Sequence, residues 1–366
     1  MHTQQDNQPY NSRQQIALVS GATGFIGRFL VLQLLQQGHQ VIALMRQPVN
    51  QLPELQQWLV KRGVAAQALQ AIQGDLSLPD LGVSAQDWQK VQLVNVLYNS
   101  SALFAWGLNM AQARAVNVTG ALNLLTLVAQ HCQLQRAVQV SGYMLTLHQH
   151  LQQAGINPAM PGQTDWDAVY KKLGAYEASK IEAHYAWIQQ AAALNVPWTV
   201  IHPATVIGDD LYGEIPANQP FYQLLADLKQ GRSMAIPGSP AHRIPLVGIS
   251  ELVAVMSYAA LDPHTMNQEI LVADEATPYL YEVLQLAAHS MQRKAPARYV
   301  SLKLLAFILQ WRWLASKLHV SPEMLHFIRT EQLDTSVLQG LKQQWGLPPK
   351  DIRQTIQKTA NWVSAY

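Results

Sequence analysis

The chain has 366 residues, of which 49% are hydrophobic and only 13% charged, a formal net charge of +2 and a single cysteine. Such a length fits one large domain or two modest ones, and 25 basic residues offset by 23 acidic ones exclude the phosphate-neutralising footprint of a nucleic-acid partner. Cys132 alone makes neither an intrachain disulfide nor a multi-cysteine zinc site, which fits a reducing, cytoplasmic setting.

Residues 1–14 are polar and Gln/Asn-rich and read as a disordered lead-in without the apolar core of a secretory signal. From Ile16 onward, short aliphatic runs alternate with helical patterns, the signature of βαβ units around a parallel sheet. The expected strands are Ile16–Ser20, Val41–Met45, Leu69–Gln73, Val91–Tyr98, Ala137–Ser141, Trp198–His202 and Glu269–Val272. Arg28–Gln37, Gln112–His131 and Tyr176–Leu194 carry helical patterns between them. The expected fold is therefore α/β, a Rossmann-type doubly wound parallel sheet spanning 15–207. A smaller, mostly helical portion, 208–366, is expected to bind substrate and to interleave with the sheet, returning a strand near 269–272.

The first strand runs into Gly21, Ala22, Thr23, Gly24, Phe25, Ile26 and Gly27. A glycine-rich turn from strand to helix brings unpaired helix N–H groups against a pyrophosphate, and side chains there would hold the ligand away. The strand before and the helix after make this a dinucleotide site and not an ordinary Gly-rich connection. The second strand ends in Arg46, with no acid nearby to take a ribose 2′-hydroxyl, and Arg28 follows the last glycine. Both favour the 2′-phosphate of NADP(H) over NAD(H), although both could be solvated surface arginines. Asp75 follows the third strand, where it could accept from the adenine amino group or cap a helix.

Tyr176 and Lys180 lie four apart in a helical pattern and project from one face. An ammonium beside a phenol lowers its pKa and makes it a proton donor for a carbonyl oxygen. The order of parts adds weight to the pair: glycine turn, Asn117, the hydroxyl of Ser141, then Tyr176 and Lys180.

These motifs resemble the extended short-chain dehydrogenase/reductase family from about Ile16 to Pro348. The matching pieces are Gly21–Gly27, Gly74-Asp75, Leu97–Ala102, Asn117–Gly120, Tyr176 with Lys180, and His202–Gly208. The resemblance implies Tyr176 as general acid, Lys180 as the group that lowers its pKa and holds the nicotinamide ribose, and Asn117 in a proton relay. It implies cofactor contacts at Gly21, Thr23, Gly24, Phe25, Ile26, Gly27, Arg28, Arg46, Asp75, Leu76, Ser100, Ser101, Lys180, Pro203 and Val206. Two features depart from the family pattern. Ser141 sits earliest in a Ser/Thr cluster where Tyr143 fills a position often held by serine, with Thr146 as a substitute hydroxyl, and Val247–Ser250 stands where an aspartate pair is common.

Gly208–Ile215, Ala235–Pro240 and Arg243–Leu246 look like the thioester reductase and fatty acyl reductase branch, or equally like Gly/Pro spacing that merely shapes a loop. The branch implies reduction of an acyl thioester or related carbonyl, its acyl group borne on coenzyme A or a carrier protein, by an enzyme that could be a homodimer. A nucleotide-sugar epimerase or dehydratase is the alternative within the family, and a non-catalytic dinucleotide-sensing module is the alternative outside catalysis. No metal site is expected, and His131, His148 and His150 read as surface histidines. The apolar run Leu302–Leu314 is shorter than the ~20 residues of a spanning helix. It reads as a core-facing helix, with peripheral membrane contact as the alternative.

Overall fold

The computed structural model describes residues 14–103, 108–232, 235–309, 325 and 327–365. The expected lead-in, apart from residue 14, lies outside the described residues, as does the end of the Leu302–Leu314 run. The chain divides into two compact units, Met1–His202 with Val253–Ile270, and Pro203–Leu252 with Leu271–Tyr366.

The first unit is built on β1 (Ile16–Ser20), β2 (Gln40–Met45), β3 (Leu69–Gln73), β4 (Val96–Asn99), β5 (Arg136–Val140) and β6 (Trp198–Pro203). Strands β7 (Thr205–Ile207), β8 (Ile236–Pro237) and β9 (Leu246–Gly248) follow in the chain before β10 (Gln268–Val272), which returns to this sheet. The seven-stranded order is β10-β6-β5-β4-β1-β2-β3, and the registers from β3 through β6 are parallel. Strands that are buried on both faces need aliphatic residues at every position. β1 and β4 show this, with Leu18, Val19, Leu97 and Tyr98 fully buried. Chain order reverses direction between β1 and β4, and the crevice beyond the carboxyl ends of those strands is where open α/β sheets bind ligands.

Helices Phe25–Gln36, Pro48–Lys61, Ala121–His131 and Ala175–Ala193 cross between these strands. Leu124, Leu125 and Trp187 from two of them join Leu18, Leu97 and Val200 in one apolar cluster. At the start of β5 the Arg136 side chain is buried. Its guanidinium donates to Thr199 Oγ1 at 2.7 Å and to the carbonyls of Ala259 and Asp262 at 3.0 Å, tying the 259–265 turn to the sheet.

Two expectations shift. Strand β4 begins at Val96 and not at Val91, because Val91 closes the helix Ala85–Val91, whose N-cap Ser84 accepts from Asp87 N–H. The expected helix Gln112–His131 is interrupted. A helical turn at Met110–Arg114 widens into a π-helix over Ala115–Gly120 before the α-helix resumes.

In the second unit β7 pairs in parallel with β9, and β8 with β11 (Tyr299–Val300). Helices Pro220–Lys229, Leu280–Ser290, Ser336–Gln344 and Ile352–Ala365 surround them. Gly208 to Ile215 is a built turn. The buried Asp209 carboxylate accepts from the N–H groups of Leu211, Tyr212 and Glu214 at 3.0, 2.9 and 2.8 Å. Gly213 holds φ +74°, and a Cβ on it would sit 2.2 Å from the Lys358 carbonyl carbon. Ser250, in the Val247–Ser250 segment, accepts from Asp210 N–H at 3.3 Å.

The helix Leu302–Leu309 corrects another expectation, since it leaves Leu304 and Phe307 more than half exposed and does not turn them into a core. Among the described residues no helix is long and apolar enough to cross a membrane.

Candidate active site

The glycine turn leaves β1 at Gly21, which holds φ +73°, a conformation that side chains disfavour. Gly24 N–H donates to Gly21 O at 2.9 Å and closes the turn. A Cβ on Gly27 would lie 2.0 Å from that same oxygen, and one on Gly21 would lie 2.9 Å from Ser101 N. The turn is therefore drawn tight enough for the helix Phe25–Gln36 to start directly behind it. That helix has no side-chain cap, so its first N–H groups keep their capacity for an anion. Thr23 and Gly24 are exposed and Ile26 is partly so, while Phe25 is buried edge-on to Phe29. These residues fit a dinucleotide, because the exposed Thr23 and Gly24 precede an uncapped helix N-terminus whose N–H groups can take a pyrophosphate.

Beside the turn, Ser100 Oγ donates to Ser20 O at 2.8 Å and Ser101 N–H donates to Asn99 Oδ1 at 3.2 Å. Asn99 also accepts from Ser20 Oγ at 2.6 Å and donates to Gln139 Oε1 at 2.8 Å. A chain of satisfied polar groups thus runs across the ends of β1, β4 and β5, fixing the strand ends against one another.

Arg46 is exposed at the end of β2. Asp75 caps no helix. Its carboxylate accepts from both the N–H and the hydroxyl of Ser77 at 2.8 Å, and those bonds, with Arg46 nearby, hold it below the usual carboxylate range. Leu76 is buried, and Gly120 packs so closely on it that a Cβ would meet Leu76 O at 2.3 Å. The Arg28 guanidinium lies over the Trp58 ring at 5.2 Å, and Arg62 shares that ring at 4.5 Å.

The catalytic candidates Asn117, Ser141, Tyr176 and Lys180 all lie in the first unit. Tyr176 and Lys180 project from the first turns of the helix Ala175–Ala193. Lys180 Nζ is buried and donates to Val140 O at 2.6 Å. Burial pulls the Lys180 pKa down to about 8. The Tyr176 phenol moves the other way, pushed up to about 12 by burial and then by the Glu177 carboxylate. In the protein alone, burial and Glu177 set the direction of the Tyr176 shift, and the lowering expected from Lys180 is not among its causes.

Ser141 follows Val140 at the end of β5. Its N–H donates to Ile201 O at 2.8 Å, but its buried hydroxyl has no hydrogen-bond partner. Thr146, the substitute hydroxyl, is committed to Tyr143 O at 2.8 Å. Asn117 lies on the π-helix, an insertion that often marks functional sites and that periodicity does not reveal. Its Oδ1 accepts from Leu103 N–H at 2.7 Å and its Nδ2 donates to Ser179 Oγ at 2.9 Å. No direct hydrogen bond joins it to Lys180, so a relay between them needs a bridging group. Pro203 and Val206 belong to the second unit, Val206 in register with Val247.

His150 corrects the surface reading. It lies on the helix His148–Ala154 and pairs through Nε2 with the buried Glu177 Oε1 at 2.5 Å. His131 stacks on Trp88 at 4.1 Å, and His148 is exposed. Sequence reasoning also missed a cluster in this unit, His184, His202 and Glu269. Nothing in their sequence separation signals it.

The sequence matches the family described as Male sterility protein over residues 19–256. It is 26% identical over 217 residues to the L-2-aminoadipate reductase of Schizosaccharomyces pombe, covering 54% of this chain and 15% of that protein. It is 25% identical over 221 residues to Fatty acyl-CoA reductase 1 of Pongo abelii, covering 52% and 42%. The match thus spans less than half the length of either relative. The fold resembles that of the terminal R domain from the myxalamid PKS-NRPS biosynthetic pathway, with TM-score 0.71 and 17% identity, over 95% of this chain and 90% of that one.

Proposed function

Because the chain belongs to the Male sterility protein family, we propose that it is an NAD(P)-dependent reductase of the extended short-chain dehydrogenase/reductase type, reducing an acyl thioester to an aldehyde with NADPH. The observation that carries this reading is the Ser141 hydroxyl, buried without a partner one residue from the carbonyl that holds Lys180. A buried polar group left unsatisfied is costly, and a substrate carbonyl oxygen would satisfy it.

The glycine turn, Asp75, Ser100, Ser101 and Lys180 would hold the dinucleotide, which supplies a hydride to the carbonyl carbon when bound. Ser141 donates to the carbonyl oxygen as negative charge develops there. Tyr176, held in its protonated form by a pKa near 12, donates the proton to that oxygen. Lys180 stabilises the phenolate left behind. The resulting hemithioacetal breaks its C–S bond and releases aldehyde and thiol, the thiol belonging to coenzyme A or a carrier protein. Asn117 positions the site by joining the segment at Leu103 to Ser179, one residue before Lys180. Arg46 selects the 2′-phosphate, and the portion from 208 to 366 binds the acyl group.

The test is NADPH and NADH oxidation against acyl-coenzyme A thioesters, aldehydes, ketones and nucleotide sugars, with Tyr176→Phe alongside. The reading expects thioester-dependent oxidation favouring NADPH and lost in the variant. Turnover of nucleotide sugars alone would overturn it.

A further inference from the structure

We propose that His184, His202 and Glu269 form a binding site for a single divalent cation of the zinc class, outside the hydride-transfer machinery. The three residues come from the helix Ala175–Ala193, the end of β6 and β10, all within the first unit. Their ligand atoms lie within 4.8 Å of one another.

The geometry is nearly that of a coordination shell. Glu269 Oε2 lies 2.8 Å from His202 Nε2 and 3.6 Å from His184 Nε2. The two imidazole rings are 5.2 Å apart. A tetrahedral zinc ion with bonds of about 2.0–2.1 Å sets neighbouring donors about 3.4 Å apart, so the widest pair has to close by no more than about 1.4 Å. Two imidazoles and one carboxylate leave a fourth position for water, and Glu269, 45% exposed, opens the cluster to solvent.

A second observation points to a missing ligand. His184 is buried at 2% exposure, its Nδ1 has no hydrogen-bond partner, and 3.6 Å is too long for Nε2 to bond the carboxylate. Nε2, the nitrogen that faces Glu269, makes no hydrogen bond and is open to a cation. The proton that His202 shares with Glu269 leaves or moves to Nδ1 when the ion binds. The next cation along the helix, Lys180, is turned to Val140 O.

Imidazole and carboxylate ligands suit zinc, cobalt, nickel or copper over magnesium or calcium. A bound ion would pin the helix that carries Tyr176 and Lys180 to two strands of the sheet.

The test uses the full chain, stripped with a chelator, reloaded with Zn²⁺ and desalted, with retained zinc measured by mass spectrometry. Wild type is expected to retain one equivalent and to melt at a higher temperature when loaded. Glu269→Gln and His184→Gln should each weaken retention by at least about tenfold, in line with the loss of one ligand, and should lose the thermal shift. His148→Gln should change neither. Should the buried His184→Gln variant fail to fold, the exposed Glu269→Gln position decides alone. A wild-type protein that retains no zinc, or zinc held equally by Glu269→Gln, overturns the site. Both readouts are independent of reductase activity.

Discussion

Lys180 Nζ donates to the main-chain oxygen of Val140 at 2.6 Å, so the helix that carries Tyr176 is fastened to the strand end that presents Ser141. The bond uses a main-chain acceptor and leaves the Ser141 hydroxyl uncommitted.

Ser141→Ala is expected to lower kcat by about 10²-fold, the usual effect of losing one donor to a developing oxyanion. The NADPH dissociation constant should stay within about twofold. Thr146→Val should leave turnover near wild type, because that hydroxyl already serves Tyr143 O. Steady-state kinetics of both variants checks the assignment, and equal losses would move the role away from Ser141.

The burial of Lys180 sets a pH limb. Its folded pKa is lowered to about 8, so the ammonium proposed to stabilise a Tyr176 phenolate is present below that value and is lost as pH rises through it. The reductive kcat/KM measured from pH 6 to 10 should fall above about 8. Lys180→Met should remove the limb along with most of the rate, by about 10²-fold or more.

Gly27→Ala would place a methyl 2.0 Å from Gly21 O, and only a backbone shift at the turn can relieve that overlap. NADPH affinity, followed by quenching of intrinsic fluorescence, should weaken by at least about tenfold, or roughly 1.4 kcal/mol. Unchanged affinity would remove the turn from the cofactor site.

In the second unit, Glu251 and Lys342 form a buried ion pair. Removing one partner strands a buried charge, at about 3–5 kcal/mol. Urea unfolding of Lys342→Met should show a loss of that order, and Glu251→Leu combined with Lys342→Met should recover most of it.

Local spacing made the cofactor half legible. Three glycines after an aliphatic strand, and a tyrosine and lysine one helical turn apart, are short-range patterns, because a turn and a helix face are both set within a few residues. The start of β4 was misplaced since Val91 and Val94 are as apolar as the strand itself, and only the capping bond of Ser84 separates helix from strand. The π-helix at Asn117 escaped for a related reason, as one extra residue in a helical turn leaves the apolar pattern intact. His150 was misread because its partner, Glu177, is 27 residues away.

The sequence by itself determined the α/β sheet, the dinucleotide turn and the Tyr176/Lys180 pair, each written in aliphatic runs and intervals of a few residues. Only the tertiary structure decided which hydroxyl is left without a partner, which way burial moves Tyr176 and Lys180, and that His184, His202 and Glu269 converge. Those properties depend on desolvation and on distances between chain segments far apart in sequence. The low charge has the same origin. Strands covered on both faces need aliphatic side chains throughout, and the largest fully buried residues, Trp187 and Tyr98 among them, lie in and against that sheet.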